Sequence, residues 1–145
     1  MMRDFLKKSR RIVIKAGTSI LASDGHIASK NLERLAGEVT QLLKAGREVV
    51  LVSSGAIDFG MEALGLRNRP SEMPRLQACA AIGQGKMMHA YEQVFSKKGI
   101  HTAQLLLTRD GLEVRPRFLA ARHTLEELFK MKVLPIVNEN DTVAT

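Results

Sequence analysis

Four short apolar runs constrain this chain more than any other feature: IVI at 12–14, VVLV at 49–52, LLL at 105–107 and VLPIV at 133–137. VVLV has no polar alternation and IVI is three β-branched residues in succession, the pattern of strands covered on both faces, as in a parallel sheet. Parallel neighbours cannot be joined by a tight hairpin, so something longer has to lie between them. The first interval provides it. Leu32, Leu35, Val39, Leu42 and Leu43 recur at helical spacing, with Ser29 placed as an N-cap and Gly46 as a C-terminal stop. This predicts a βαβ unit with a right-handed crossover.

Beyond VVLV, the pattern predicts a helix through Ile57, Met61 and Leu64 to Gly65, then a polar, proline-punctuated loop, GLRNRPSEMP. A long helical stretch from Arg75 to Lys98 follows, in which Gly83 and Gly85 imply a break or a close helix approach. TAQLLL at 102–107 reads as the third strand. Pro116 opens a helix carrying Phe118, Leu125, Leu128 and Phe129, and VLPIV returns as the fourth strand. Buried strands alternating with helices give an α/β fold with a mostly parallel sheet, without internal repeats.

With 145 residues, 45% hydrophobic and 26% charged, the chain suits one domain. No apolar stretch reaches membrane-spanning length and MMRDFLKKSRR has no signal-peptide core, so a cytoplasmic address is expected. The single cysteine, Cys79 in LQACAAIG, reads as a buried small apolar residue. The formal charge of +7 raises nucleic acid as a partner, with Arg3, Lys7, Lys8, Arg10 and Arg11 bunched before or at the first strand. Aromatics are only 4%, too few to serve as base-stacking platforms, so residues 1–10 are read instead as a solvated basic arm. The four histidines, His26, His89, His101 and His123, show no metal-ligand spacing.

In open parallel sheets, ligands gather outside the carboxyl ends of the strands. KAGTS, SSGA, LTRD and NENDT stand at those ends. In KAGTS, Gly17 lets the backbone turn and approach a ligand while Lys15 brings a mobile cation, a pairing that suits phosphate; an ordinary strand exit explains the same letters. In SSGA, Ser54 and Gly55 open a helix with an anion-binding N-terminus, or Ser54 merely caps that helix. NENDT puts Glu139 and Asp141 on a post-strand loop, where carboxylates can hold an amino group or serve as turn formers. Neither GxxxxGK[ST] nor a post-strand GxGxxG occurs, and GQGK at 83–86 sits in a helical, apolar context.

Taken in order, KAGTSIL, VVLVSSGAIDFG, QACAAIGQGKMMHAYEQVF, QLLLTRDGLEVRPRFLAARHTL and VLPIVNENDTVAT closely resemble the amino-acid kinase family from about Arg11 to the last residue. VSSGAI and IVNENDTVAT resemble most the members that act on glutamate; Ala120, where an Asn would be expected, is a departure bearing on helix or subunit contacts. The resemblance implies a three-layer αβα sandwich, of which 11–145 is the N-terminal, amino-acid-binding half. It implies transfer of the γ-phosphoryl of ATP, with Mg2+, to the side-chain carboxylate of L-glutamate. Lys15 then serves as the catalytic lysine at the phosphoryl group, Gly17 and Gly55 as amide donors to it, and Ser54 and Asp141 as contacts to the amino acid; no residue is implied as a metal ligand.

A homo-oligomer and feedback inhibition by proline are further implications of the resemblance. The family pattern continues into a nucleotide-binding half, so 11–145 alone is expected to show a partial site, little or no kinase activity and an unpaired sheet edge. Two alternatives stand beside this reading: a relative acting on acetylglutamate or aspartate, and a non-catalytic binding module.

Overall fold

The computed structural model describes residues 8–23 and 26–143. In chain order the elements are β1 (Arg11–Ala16), α1 (Thr18–Leu21), β2 (Ala22–Ser23), β3 (His26–Ile27), α2 (Ser29–Lys44), β4 (Glu48–Ser53), α3 (Ala56–Ala63), α4 (Met73–Ser96), β5 (Thr102–Leu107), α5 (Arg109–Glu113), α6 (Arg115–Lys130) and β6 (Leu134–Glu139). Four strands form one parallel sheet in the order β1-β4-β6-β5, while β2 and β3 make a small antiparallel pair. The last strand therefore lies inside the sheet. Among the described residues the sheet is open, with β1 and β5 as its edges, so the expected unpaired edge belongs to those two strands and not to the last one.

Register explains which residues meet. Ile14 lies beside Leu51, Leu51 beside Ile136 and Ile136 beside Gln104, so one row of the pleat runs across all four strands. Val49, Leu51, Leu134 and Ile136 face the layer of α2 and α4, where they pack with Leu35, Val39, Met87, Tyr91 and Phe95 as the core. The opposite face is covered more thinly. Leu112 of α5 and the length of α6 lie over it, and no residue of either helix is buried; Val13 stays 65% exposed. The layers are αβα, as expected, with one face much drier than the other.

Several local readings need amendment. Ser29 is the first helical residue of α2 rather than its cap; Ala28 holds that position without a side-chain bond. Gly46 does end the helix, left-handed at φ +76°. At Gly83 the helix does not break: α4 is continuous, and a Cβ there would stand 1.8 Å from the Ala56 carbonyl oxygen, so close approach of α3 is what the glycine permits. Glu139 belongs to β6, paired in register with Leu107, not to a loop after it. The short α1, α5 and the β2–β3 pair were not foreseen, because elements of two to five residues carry no periodicity to read.

Cys79 is buried. Arg3 and Lys7 of the basic arm lie outside the described residues. Within them, Arg11 belongs to β1 and stacks over the Phe129 ring at 4.7 Å, and both Arg10 and Arg11 pair with Glu48. No helix among the described residues is long and apolar enough to cross a membrane.

Candidate active site

At the carboxyl end of the sheet a cavity of about 250 Å3 lies between elements far apart in sequence. Thr18 enters from the start of α1, Ser54 and Gly55 from the turn after β4, and Asp58 from the first turn of α3. Asn138 and Glu139 come from the end of β6, Asp141 from just beyond it, and Arg69 from the loop between α3 and α4. Parallel pairing aligns Ala16 with Ser53 and carries the next chain segments to the same edge.

The turn after β4 is shaped by Gly55, which is left-handed at φ +101° and immediately precedes α3. An L residue would be strained there, and its Cβ would lie 3.4 Å from the Thr18 methyl carbon. Ser54 neither caps α3 nor begins it, which corrects both readings of its role; its hydroxyl donates to the Ala16 carbonyl at 3.4 Å and lies 3.5 Å from the Thr18 hydroxyl. Both contacts are long, so a ligand oxygen can compete for this hydroxyl. One residue earlier, Ser53 points the other way. It is buried and bonded to the Tyr91 hydroxyl at 2.9 Å and to Met87 Sδ at 3.3 Å. Burial pushes the Tyr91 hydroxyl up to about 12, against the smaller opposite pull of Ser53, so this anchor stays neutral.

On the β6 side, Asn138 is buried and its amide donates to Gln84 Oε1 at 2.9 Å. The Gln84 amide nitrogen is itself buried and lacks a hydrogen-bond partner among the described residues. Burial raises the Asp141 carboxyl above the usual carboxylate range, the Glu139 charge adds to that, and Arg69 opposes it. Arg69 also holds Asp58 at 3.3 Å. The cavity thus combines a displaceable hydroxyl, a left-handed glycine turn, three carboxylates and one guanidinium.

Ser54, Gly55 and Asp141 therefore meet in one cavity. Lys15 and Gly17 do not line it. Lys15 pairs with Val52 at the same end of the sheet, but it shares its side of the pleat with Arg11 and Val13, which puts it on the exposed α6 face. Gly17 sits between β1 and α1 without a left-handed φ, and a Cβ there would meet open space, so the turn does not itself require glycine. Thr18, Asn138, Gln84 and Arg69 were not singled out from sequence. Thr18 and Asn138 stand inside clusters already marked as strand ends, whereas Gln84 lies mid-helix and Arg69 in a loop with no periodicity.

Fold and site define an α/β protein that assembles polar groups from separate loops at the carboxyl edge of a parallel sheet. The chain belongs to the amino acid kinase family, which it matches over residues 10–145. Similar proteins include the glutamate 5-kinase of Moorella thermoacetica, 51% identical over 140 residues, covering 96% of this chain and 37% of that protein. That of Carboxydothermus hydrogenoformans is 50% identical over 145 residues, covering 99% and 39%. The chain thus spans well under half the length of these curated relatives. Among solved structures, a Giardia carbamate kinase superposes with a TM-score of 0.59 at 19% identity, over 90% of this chain and 58% of that one. Another from Giardia lamblia, bound to AMP-PNP, gives 0.55 at 21% identity, over 94% and 58%. These two show the fold.

Proposed function

We propose that this chain forms the amino-acid side of a glutamate 5-kinase site, at which the γ-phosphoryl of ATP passes to the side-chain carboxylate of L-glutamate to give glutamyl 5-phosphate, the first step towards proline. The observation that carries the reading is the convergence of Ser54, Gly55 and Asp141, from two distant loops, on one cavity of about 250 Å3. Asp141, backed by Glu139, holds the substrate ammonium. Ser54 donates its weakly engaged hydroxyl to a substrate oxygen, and the turn at Gly55 offers backbone N–H groups beside it. Arg69, swinging from Asp58, is placed to meet a substrate carboxylate.

Lys15 stands at the same sheet edge and supplies the mobile cation for the phosphoryl group, with Gly17 leaving backbone uncovered next to it. Such transfer rests on in-line placement and charge neutralisation rather than on a covalent enzyme intermediate. Mg2+ would accompany the nucleotide. The residues do not fit a protein-held metal: among those described, no group of three His, Cys, Asp or Glu side chains is placed to hold an ion, and Asp58 is already paired with Arg69. Proline as a feedback inhibitor, self-association and a cytoplasmic setting belong to the same proposal.

Calorimetric titration of the chain with L-glutamate, L-aspartate and N-acetyl-L-glutamate tests it. Glutamate should bind best, and the acetylated analogue should lose at least about tenfold, because it has no ammonium for Asp141. Ser54→Ala and Asp141→Asn should each weaken glutamate while leaving the fold intact. Tighter binding of aspartate or acetylglutamate would move the assignment to another member of the family. With Mg-ATP and hydroxylamine added, the chain alone should yield little or no hydroxamate.

A further inference from the structure

At the opposite, amino-terminal end of the sheet a cleft of about 500 Å3 opens where α2, α4 and α6 hand over to β4, β5 and β6. The three handovers are built alike. Gly46 and Arg47 donate their N–H groups to Leu43 and Leu42 carbonyls at 3.0 and 3.1 Å, Gly99 and Ile100 to Ser96 and Phe95 at 2.9 and 3.1 Å, and Lys132 and Val133 to Phe129 and Leu128 at 3.0 and 3.0 Å. Each turn has one left-handed residue, at φ +76°, +71° and +57°. Glycine adopts that conformation freely and fills it twice; in the third turn the residue is Lys132.

Lys132 lines the cleft together with Lys44, Arg47 and Lys98. Glu48, the one carboxylate among the described lining residues, is already held by Arg10 at 3.3 Å and Arg11 at 2.8 Å. No carboxylate among the described residues pairs with Lys44, Lys98 or Lys132. Leu43, Ile100, Phe129 and Val133 make the rest of the wall apolar. Lysines near helix C-termini offset the partial negative charge there, which accounts for one cation per helix. It does not account for a lysine kept where glycine is the easier residue, nor for the convergence of all these cations on one hollow.

We propose that this cleft is a second ligand site, for a small molecule carrying a diphosphate group. The phosphates sit among Lys44, Lys98 and Lys132, with Arg47 beside them, and the remainder of the ligand lies on the apolar wall. The size falls within the roughly 300–1,000 Å3 of small-molecule sites. A concave hollow favours a small ligand over a nucleic-acid backbone, which needs cations strung along a surface.

The test is metal-free calorimetric titration of the full chain with sodium pyrophosphate at fixed ionic strength. One equivalent should bind, and the double variant Lys44→Gln/Lys98→Gln should weaken it by about tenfold or more. Lys132→Gly should weaken binding by about threefold and yet raise Tm, a pairing that a merely structural lysine would not produce. Lys15→Gln, at the other end of the sheet, should leave pyrophosphate affinity within about twofold. Absence of saturable binding overturns the proposal. So does binding that Lys15→Gln removes and the double variant leaves, or tight, steeply salt-dependent binding of duplex DNA where pyrophosphate has no effect.

Discussion

On the proposed function, Asp141 shows how a single residue would couple the fold to a ligand. Its carboxyl is raised chiefly by burial and then by Glu139, so the folded chain holds this proton more firmly than the unfolded one. Between the ordinary carboxylate value and the raised one, Asp141 therefore lowers stability as pH rises, and acidification relieves it. Ligand binding runs the other way: an ammonium needs the ionised form, so glutamate affinity should fall on acidification, beginning above the range of an ordinary carboxylate. Titration calorimetry across acidic pH would show this, and Asp141→Asn should flatten the profile.

Tyr91 gives the alkaline counterpart. Its hydroxyl titrates near 10 when unfolded and at about 12 when folded, so stability should drop as pH rises through that interval. Tyr91→Phe should abolish this drop while costing about 1–2 kcal/mol at neutral pH, because Ser53 keeps only its sulfur contact. Urea unfolding at pH 7 and pH 11 separates the two effects. Asp141 was legible in the sequence as a carboxylate after an apolar run. The Ser53–Tyr91 bond was not, since it joins residues 38 apart across two layers.

Among the elements, the contact of α3 with α4 is the tightest and the least forgiving. Gly60 lies against the Cys79 carbonyl and Gly83 against that of Ala56, each with a Cβ position only 1.8 Å from backbone oxygen. Backbone cannot yield as a flexible side chain can, so Gly83→Ala should destabilise by at least about 3 kcal/mol in chemical denaturation, through overpacking. Gly85→Ala, two residues on, meets nothing within 4 Å and should be neutral or slightly stabilising in the same assay. From sequence the two glycines are indistinguishable. Helical period placed α4 to within two residues at either end, because its apolar stripe spans more than six turns; it could not say which glycine touched a neighbour.

At the scale of the molecule, the two faces of the sheet differ. Val49, fully buried against α2 and α4, and Val13, 65% exposed on the α6 face, stand in adjacent strands with the same residue type. Val49→Thr should cost about 1–3 kcal/mol through an unsatisfied buried hydroxyl, and Val13→Thr should stay within about 0.5 kcal/mol, measured by thermal unfolding. Apolar runs without alternation, helical spacing between them and polar clusters after each strand determined the α/β class, the parallel pairing and the end of the sheet at which those clusters gather. All of these are local patterns, written in neighbouring letters. Strand order, which face stays open, the separation of Lys15 from the Asp141 cavity and the meeting of four cations at the far end were decided only in three dimensions. Each depends on which segments pack together across tens of residues, and no periodicity along the chain records that.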